Sequence, residues 1–375
     1  SMQLLRLVPT VFYFDTVKQF QEEFKIGHSD LVVTNRYLYE PLLEPLGVNA
    51  NYIFQEEFGD GEPSDEMIDQ IKEKTSKYYY NRIFALGGGT ILDISKILAL
   101  DMADGSTPLF DGEKEPVKKK QLIAVPTTCG TGSEVTNVAI AEIKSRHTKK
   151  GLAADACYAD CAVLIPETLE RLPYKVFLTS SIDAFIHAVE SFLSPKASPA
   201  TELFSGKAIE MILSGYHDMA ESGREARKNN LKSYILASNY AGIAFGNAGC
   251  AAVHALSYSI GGAFHVPHGE ANYQFFMDVM ELYELKKPGG KIRKLRQTIA
   301  DVFGWEADSA FLRLRELLSN FMETRPLKDY GMTEVQIEEF TESTVQNQQR
   351  LLKNNYVELT KEEIREIFKR RYDER

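Results

Sequence analysis

Ile83-Phe84-Ala85-Leu86-Gly87-Gly88-Gly89-Thr90-Ile91-Leu92-Asp93 is an apolar run broken by three glycines, after which Ile91, Ile94, Ile97 and Leu98 recur at helical spacing. It reads as a buried strand that enters a tight turn and opens a helix. With no Cβ in the way, backbone N–H groups at that helix N-terminus can approach a phosphate, so the turn is built to receive an anion. A turn that binds nothing has the same pattern, and a second signal is needed.

The flanking sequence supplies it. Residues 31–33, 122–125 and 162–165 are further short apolar runs that read as strands, and Ser64 caps a helical pattern carried by Met67, Ile68 and Ile71. Strands alternating with helices predict an α/β domain with a mostly parallel, Rossmann-like sheet that binds ligands at the carboxyl ends of its strands. Pro126-Thr127-Thr128-Cys129-Gly130-Thr131-Gly132-Ser133-Glu134 also follows a strand, with hydroxyl donors set among glycines. Two such turns after neighbouring strands point to a dinucleotide. Cys129 reads as a small residue packed in that loop rather than a reactive thiol. Asn35 follows the strand at 31–33, where dinucleotide folds place an acidic residue on the ribose 2′-OH. Asparagine can make that bond but lacks the charge that repels a 2′-phosphate, and Arg36 is next to it, so both NAD and NADP stay open.

After Pro173 the strand-like runs give way to long helical patterns at 180–193, 202–214 and 231–244, which predicts an all-α second domain. The expected division is a dinucleotide-binding domain over 1–173 and a helical metal-binding and substrate domain over 174–375, with the active site in the cleft between them. The charged tail at 360–375 is expected to be a solvated final helix. Asp183 and His187, four residues apart, share one helix face. His254 and His268 are 14 residues apart, with Gly261, Gly262 and Pro267 between them, so a helix and a turn can bring both rings to one point. One carboxylate and three imidazoles suit Fe²⁺ or Zn²⁺. His28, His147 and His217 read as ordinary surface residues.

Composition narrows the partners. In 375 residues, 44% hydrophobic and 26% charged, Lys and Arg total 43 against 53 Asp and Glu, a net charge of −10. That field repels nucleic-acid backbones and anionic lipid, so a small-molecule substrate is expected, with neither nucleic acid nor membrane. Four cysteines without a CxxC pair form no disulfide framework, which points to a reducing cytoplasm.

Gly87-Gly88-Gly89-Thr90-x-x-Asp93, Pro126-Thr127-Thr128-x-Gly130-Thr131-Gly132-Ser133-Glu134-Val135-Thr136, Asp183-Ala184-x-x-His187-Ala188-x-Glu190 and His254-x13-His268-Gly269 resemble, in order and spacing, the motifs of the iron-containing (group III) alcohol dehydrogenases, most of all the 4-hydroxybutyrate dehydrogenase branch. The resemblance implies an NAD-linked oxidoreductase, with NADP still open, that interconverts a primary alcohol and an aldehyde, most of all 4-hydroxybutyrate and succinic semialdehyde. A glycerol or 1,2-diol dehydrogenase of the same superfamily is the nearer alternative, and a non-catalytic, metal-stabilised nucleotide-binding protein the more distant one. It further implies a divalent metal on Asp183, His187, His254 and His268. The cofactor would be lined by Asn35, Gly87, Gly88, Gly89, Thr90, Asp93, Thr127, Thr128, Thr131 and Lys150, in a homodimer. Tyr258 stands where many relatives carry a histidine engaged in proton exchange. Tyr258 and His265 are therefore the two candidates for that role.

Overall fold

The computed structural model describes residues 1–375 in full. The chain forms two compact units, one of Leu7–Leu172 and one of Pro173–Arg375 with Ser1–Arg6. The first six residues, expected with the nucleotide half, join the helical unit through hydrogen bonds. The Arg6 N–H donates to Asn247 Oδ1 at 2.6 Å, Asn247 Nδ2 donates to the Arg6 carbonyl at 3.0 Å, and Ser198 Oγ donates to the Leu4 carbonyl at 3.1 Å.

The first unit runs β1 (Thr10–Tyr13), α1 (Val17–Phe24), β2 (Asp30–Thr34), α2 (Arg36–Leu42), β3 (Asn51–Phe54), α3 (Asp65–Thr75), β4 (Arg82–Gly87), α4 (Gly89–Leu98), α5 (Thr107–Phe110), β5 (Gln121–Pro126), β6 (Val138–Ile143), β7 (Thr148–Ala153) and β8 (Cys161–Leu164). Six strands make one all-parallel sheet in the order β1-β8-β5-β4-β2-β3, while β6 and β7 pair as a separate antiparallel hairpin. Both sheet faces are buried. Leu31, Val33, Ile83, Ala85, Leu122 and Ala124 enter one apolar cluster, and Val32, Phe84, Leu86, Ile123, Val125 and Val163 the other. Period-two alternation into two cores is why these strands are apolar without interruption. The four runs predicted as strands are β2, β4, β5 and β8. Ser64 caps α3 by accepting from the Met67 N–H at 3.1 Å.

The connections leaving β2 and β4 run in opposite directions, from β2 outward to β3 and from β4 inward to β5. The crevice at the carboxyl ends of β2 and β4 is thus the topological switch point, where open α/β sheets bind ligands. Asn35 and the three glycines border it. Gly87 pairs in register with Pro126, so the two glycine-bearing turns lie side by side.

The second unit is helical: α6 (Tyr174–Leu193), α7 (Pro199–Ser222), α8 (Leu231–Ala248), α9 (Ala252–Phe264), α10 (His268–Lys286), α11 (Lys291–Phe303), α12 (Ala310–Phe321), α13 (Val335–Asn347), α14 (Gln349–Leu352) and α15 (Lys361–Asp373). α6 is long and apolar enough to cross a membrane, but it is the unit's central helix and mostly buried, which accounts for its composition. The tail helix α15 is not simply solvated. Thr360 and Glu363 form its capping box, and Ile364, Ile367 and Phe368 are buried at helical spacing.

α10 seats its first turn directly on α6. A Cβ at Gly269 would lie 1.9 Å from the Thr179 carbonyl oxygen and 3.2 Å from the Asp183 Cβ, so only glycine allows this approach. Gly269→Ala is expected to destabilise the helical unit by about 1–3 kcal/mol, as overpacking against backbone does. A urea-unfolding midpoint equal to that of the parent protein would show that the two helices are not in contact at this residue.

Candidate metal centre and nucleotide turns

Four side chains from three helices converge. Asp183 and His187 are one turn apart on α6. His254 lies in the first turn of α9, and His268 is the first residue of α10. Between the last two, His265 adopts a left-handed conformation (φ 54°) and Pro267 an extended one, reversing the chain so that both rings face α6. One ligand atom from each of the four residues lies within 4.8 Å of the others. Asp183 Oδ1 is 2.9 Å from His268 Nδ1, 3.6 Å from His187 Nε2 and 4.0 Å from His254 Nε2. Asp183, His187 and His254 are buried, whereas His268 keeps 45% of its side chain exposed, which leaves one side of the group open. Burial by itself would raise the Asp183 carboxyl, but the imidazoles of His187, His268 and His254 outweigh it and hold the carboxyl well below the usual range.

Two further residues orient this group. Glu190 Oε1 accepts the Ala251 N–H at 3.2 Å and the His254 N–H at 3.4 Å, and Oε2 accepts the Val253 N–H at 2.9 Å. An oxygen already accepting these bonds takes a proton from the ring as well, so His254 Nδ1–H donates to Glu190 Oε1 at 2.5 Å and Nε2 keeps its lone pair toward Asp183. Asn272 Nδ2 donates to Asp183 Oδ1 at 3.0 Å, and Ser257 Oγ fixes that amide by donating to its Oδ1 at 2.6 Å. Sequence reasoning assigned neither residue a role, although the signal was present. Glu190 falls three residues after His187, and Asn272 four after His268, each on the face its partner uses.

A second grouping, Glu190, Cys250 and His254, is also close-set. It is poorly suited to a cation. Burial, with Glu190 and Asp183 adding to it, raises the Cys250 thiol well above its ordinary range, and metals bind thiolate. Tyr258, one turn beyond His254, has its ring 6.4 Å from that of His268, and burial of its hydroxyl pushes the phenol up to about 12. It keeps its proton at neutral pH and is a donor there, not a base. His265 is exposed at the end of α9, and no contact joins it to the four-residue group.

At the nucleotide turns, Gly88 is the N-cap of α4 with no side-chain bond across it, so the helix presents bare N–H groups. A Cβ at Gly88 would meet Thr128 Cγ2 at 3.4 Å, and one at Gly89 would meet Thr131 Cγ2 at 3.0 Å, so the two turns touch. The Thr127 N–H donates to the Gly87 carbonyl at 3.1 Å, and Thr90 opens the helix beside them. Burial pushes the Cys129 thiol up to about 12, in keeping with a packed, unreactive residue. Two predicted cofactor residues are engaged internally. Asp93 accepts Ser133 Oγ at 2.8 Å and the Ile140 N–H at 3.2 Å, tying α4 to β6, and Lys150 Nζ, on β7, pairs with Asp111 at 2.9 Å.

Asn35 is buried, and its Nδ2 donates to Gln55 Oε1 at 3.1 Å and Glu56 Oε2 at 3.0 Å. Glu56 Oε1 accepts the Arg36 N–H at 2.7 Å, while the Arg36 guanidinium pairs with Glu57 at 2.7 Å and lies 4.2 Å from the Phe54 ring centre. The crevice position that lacks an acid at residue 35 thus has two from the neighbouring strand end, and its one adjacent cation is taken.

The parallel sheet with its glycine turns, followed by a helical unit with an Asp-His₃ group, defines a metal-assisted, nucleotide-linked class of enzyme. This chain belongs to the iron-containing alcohol dehydrogenase family: the iron-containing alcohol dehydrogenase model matches residues 9–166, and the Fe-containing alcohol dehydrogenase C-terminal model matches residues 177–372. It is 51% identical over 371 residues, 99% of this chain and 100% of the other, to the 4-hydroxybutyrate dehydrogenase of Clostridium kluyveri. Among solved structures, an iron-containing alcohol dehydrogenase from Thermococcus thioreducens superposes with a TM-score of 0.83 at 25% identity over 98% of this chain and 99% of that one. A sulfoacetaldehyde reductase from Bifidobacterium kashiwanohense, solved with NAD⁺, shares the fold with a TM-score of 0.82 at 23% identity over 99% of both chains.

Proposed function

We propose that this oxidoreductase interconverts 4-hydroxybutyrate and succinic semialdehyde, using NAD and a divalent metal held by Asp183, His187, His254 and His268. The observation that carries the chemistry is the gathering of one carboxylate and three imidazoles within 4.8 Å of one another, a donor set suited to Fe²⁺ or Zn²⁺. The full-length likeness to a 4-hydroxybutyrate dehydrogenase supports the substrate. When bound, the ion would supply a Lewis acid for the alcohol or aldehyde oxygen, and NAD would supply the hydride acceptor or donor.

The protein's part is positioning. Glu190 holds the His254 tautomer, Asn272 holds Asp183, and Tyr258 Oη retains its proton and can donate to a substrate oxygen. The bare α4 N-terminus and the Thr127, Thr128 and Thr131 turn would take the pyrophosphate, with Asn35 Oδ1 at the ribose. A protein with four free cysteines and no disulfide fits a reducing cytoplasm, and a homodimer is the assembly we favour.

His268→Ala or Asp183→Ala is expected to abolish both bound metal and turnover while leaving the NADH dissociation constant near its parent value. Elemental analysis, an initial-rate assay and a fluorescence titration read the three, and a variant that kept metal and rate would overturn the ligand assignment. For the cofactor, Glu56→Gln is expected to weaken the preference for NADH over NADPH on the order of tenfold, because it removes a negative charge beside Asn35, the residue proposed at the ribose. Asn35→Asp is the less clean variant, since it sets a second carboxylate against Glu56. Dissociation constants for NADH and NADPH that shift by equal factors in Glu56→Gln would place Glu56 away from the ribose. The substrate is tested by kcat/KM at equal metal content, where succinic semialdehyde should exceed butanal by up to about 10⁴. A preference for glycerol or 1,2-propanediol would discard this substrate and keep the family.

A further inference from the structure

An ω-hydroxy acid carries a carboxylate at the end remote from its alcohol, so its pocket needs a cation near the four-residue group, where Asp183 and Glu190 are both acidic. The short helix α14 is fixed beside that group. Leu351 and Leu352 pack with Cys250, Ala255 and Phe245. Asn354 Nδ2 donates to the Ala248 and Cys250 carbonyls at 2.8 and 3.0 Å, and Asn355 Oδ1 accepts the Ala252 N–H at 3.2 Å. Phe245 in turn stacks on the His187 ring at 4.2 Å. The helix is therefore anchored on the turn that leads into His254, and it carries Arg350.

Arg350 is exposed. Three cations elsewhere in the helical unit are occupied: Lys291 by Glu202 at 2.6 Å, Lys286 by Glu363 at 2.6 Å and Arg315 by Asp278 at 2.9 Å. Arg350 forms no ion pair, hydrogen bond or ring contact. Its charge is nonetheless felt at the site. Burial raises the Tyr258 phenol and the Cys250 thiol, and Arg350 opposes both rises, acting on Tyr258 more strongly than Asp183 does. An unpaired guanidinium on a helix anchored against α9, which carries both His254 and Tyr258, is a fork for a carboxylate.

We infer that Arg350 binds the carboxylate of the substrate, while the alcohol or aldehyde end meets the group formed by Asp183, His187, His254 and His268. The inference rests on the 4-hydroxybutyrate reading above. It assigns substrate selectivity to one exposed side chain that is not itself near enough in sequence to any motif to be noticed.

The test compares the parent protein, Arg350→Gln and Arg350→Lys at equal metal content, with kcat/KM for succinic semialdehyde and for butanal, and the inhibition constant of butyrate against butanal. Arg350→Gln should lose on the order of 10²-fold on succinic semialdehyde, chiefly through KM, and bind butyrate correspondingly more weakly. It should reduce butanal as the parent does, and Arg350→Lys should recover part of the loss. A parent that prefers succinic semialdehyde, with Arg350→Gln keeping that preference, would overturn the assignment of Arg350 and leave the substrate intact. Equal losses on both substrates would make Arg350 a structural residue and overturn it as well. A parent protein without the preference would reject the substrate reading, and this inference with it.

Discussion

The buried Glu190 carboxylate is the interaction on which the helical unit's site depends. An ionised carboxylate away from water is tolerated only when its lone pairs are used. Here three backbone N–H groups at the start of α9 and the His254 ring supply the donors, with the positive end of the α9 dipole behind them. One side chain therefore caps a helix that has no cap of its own, docks that helix on α6 and selects the His254 tautomer. From the opposite side, Asn354 and Asn355 bind the carbonyls and N–H groups of the same turn. The position of His254 is thus set by polar contacts from two directions, and Gly269 sets that of His268 by letting α10 approach α6. Rigid placement of the donors before any ion arrives is what such a site requires.

In the other unit the corresponding constraint is topological. Because β2 hands the chain outward to β3 and β4 hands it inward to β5, a crevice opens between two strand ends, with Asn35 and Gly87 to Gly89 on its border. The acid usually found at the end of β2 has moved one strand along. Thr34 pairs in register with Phe54, so the residues that follow, Asn35 and Gln55-Glu56, emerge side by side, and the Asn35 amide bridges to both. Charge at the carboxyl end of β2 is then a property of a pair of strand ends, not of one residue.

These cases explain how far the sequence could be read. β2, β4, β5 and β8 were legible because two-sided burial makes their runs continuously apolar. β1 and β3 are edge strands with half-exposed patterns, and β7, Thr-Lys-Lys-Gly-Leu-Ala, pairs only with β6, so none of them gives the same signal. Asp183, His187, His254 and His268 were legible from helical spacing and a proline-marked reversal. Glu190 and Asn272 had the same periodic signal but only the fold supplies the partners that give them a purpose. Asp93 and Lys150 gain from the fold partners that motif position did not indicate, Ser133 and Asp111. Glu56 depends on strand register and Arg350 on a helix docked against residues far upstream, Phe245, Cys250 and Ala255, and neither relation leaves a local mark.

The net charge of −10 gives these local features their weight. A dinucleotide and the proposed hydroxy acid are both anions, and the protein's overall field opposes their approach. Long-range attraction therefore contributes nothing to selectivity, which has to arise within a Debye length, about 8 Å at physiological ionic strength. Inside that range the bare N–H groups of α4 and the Arg350 guanidinium are favourable to anions, whereas Glu56 and Glu57 are not. On the proposed reading a diphosphate would be accepted at the glycine turn while an additional phosphate at the ribose would be opposed a few residues away, and the acidic background adds to that contrast because it repels any anion that lacks a specific donor.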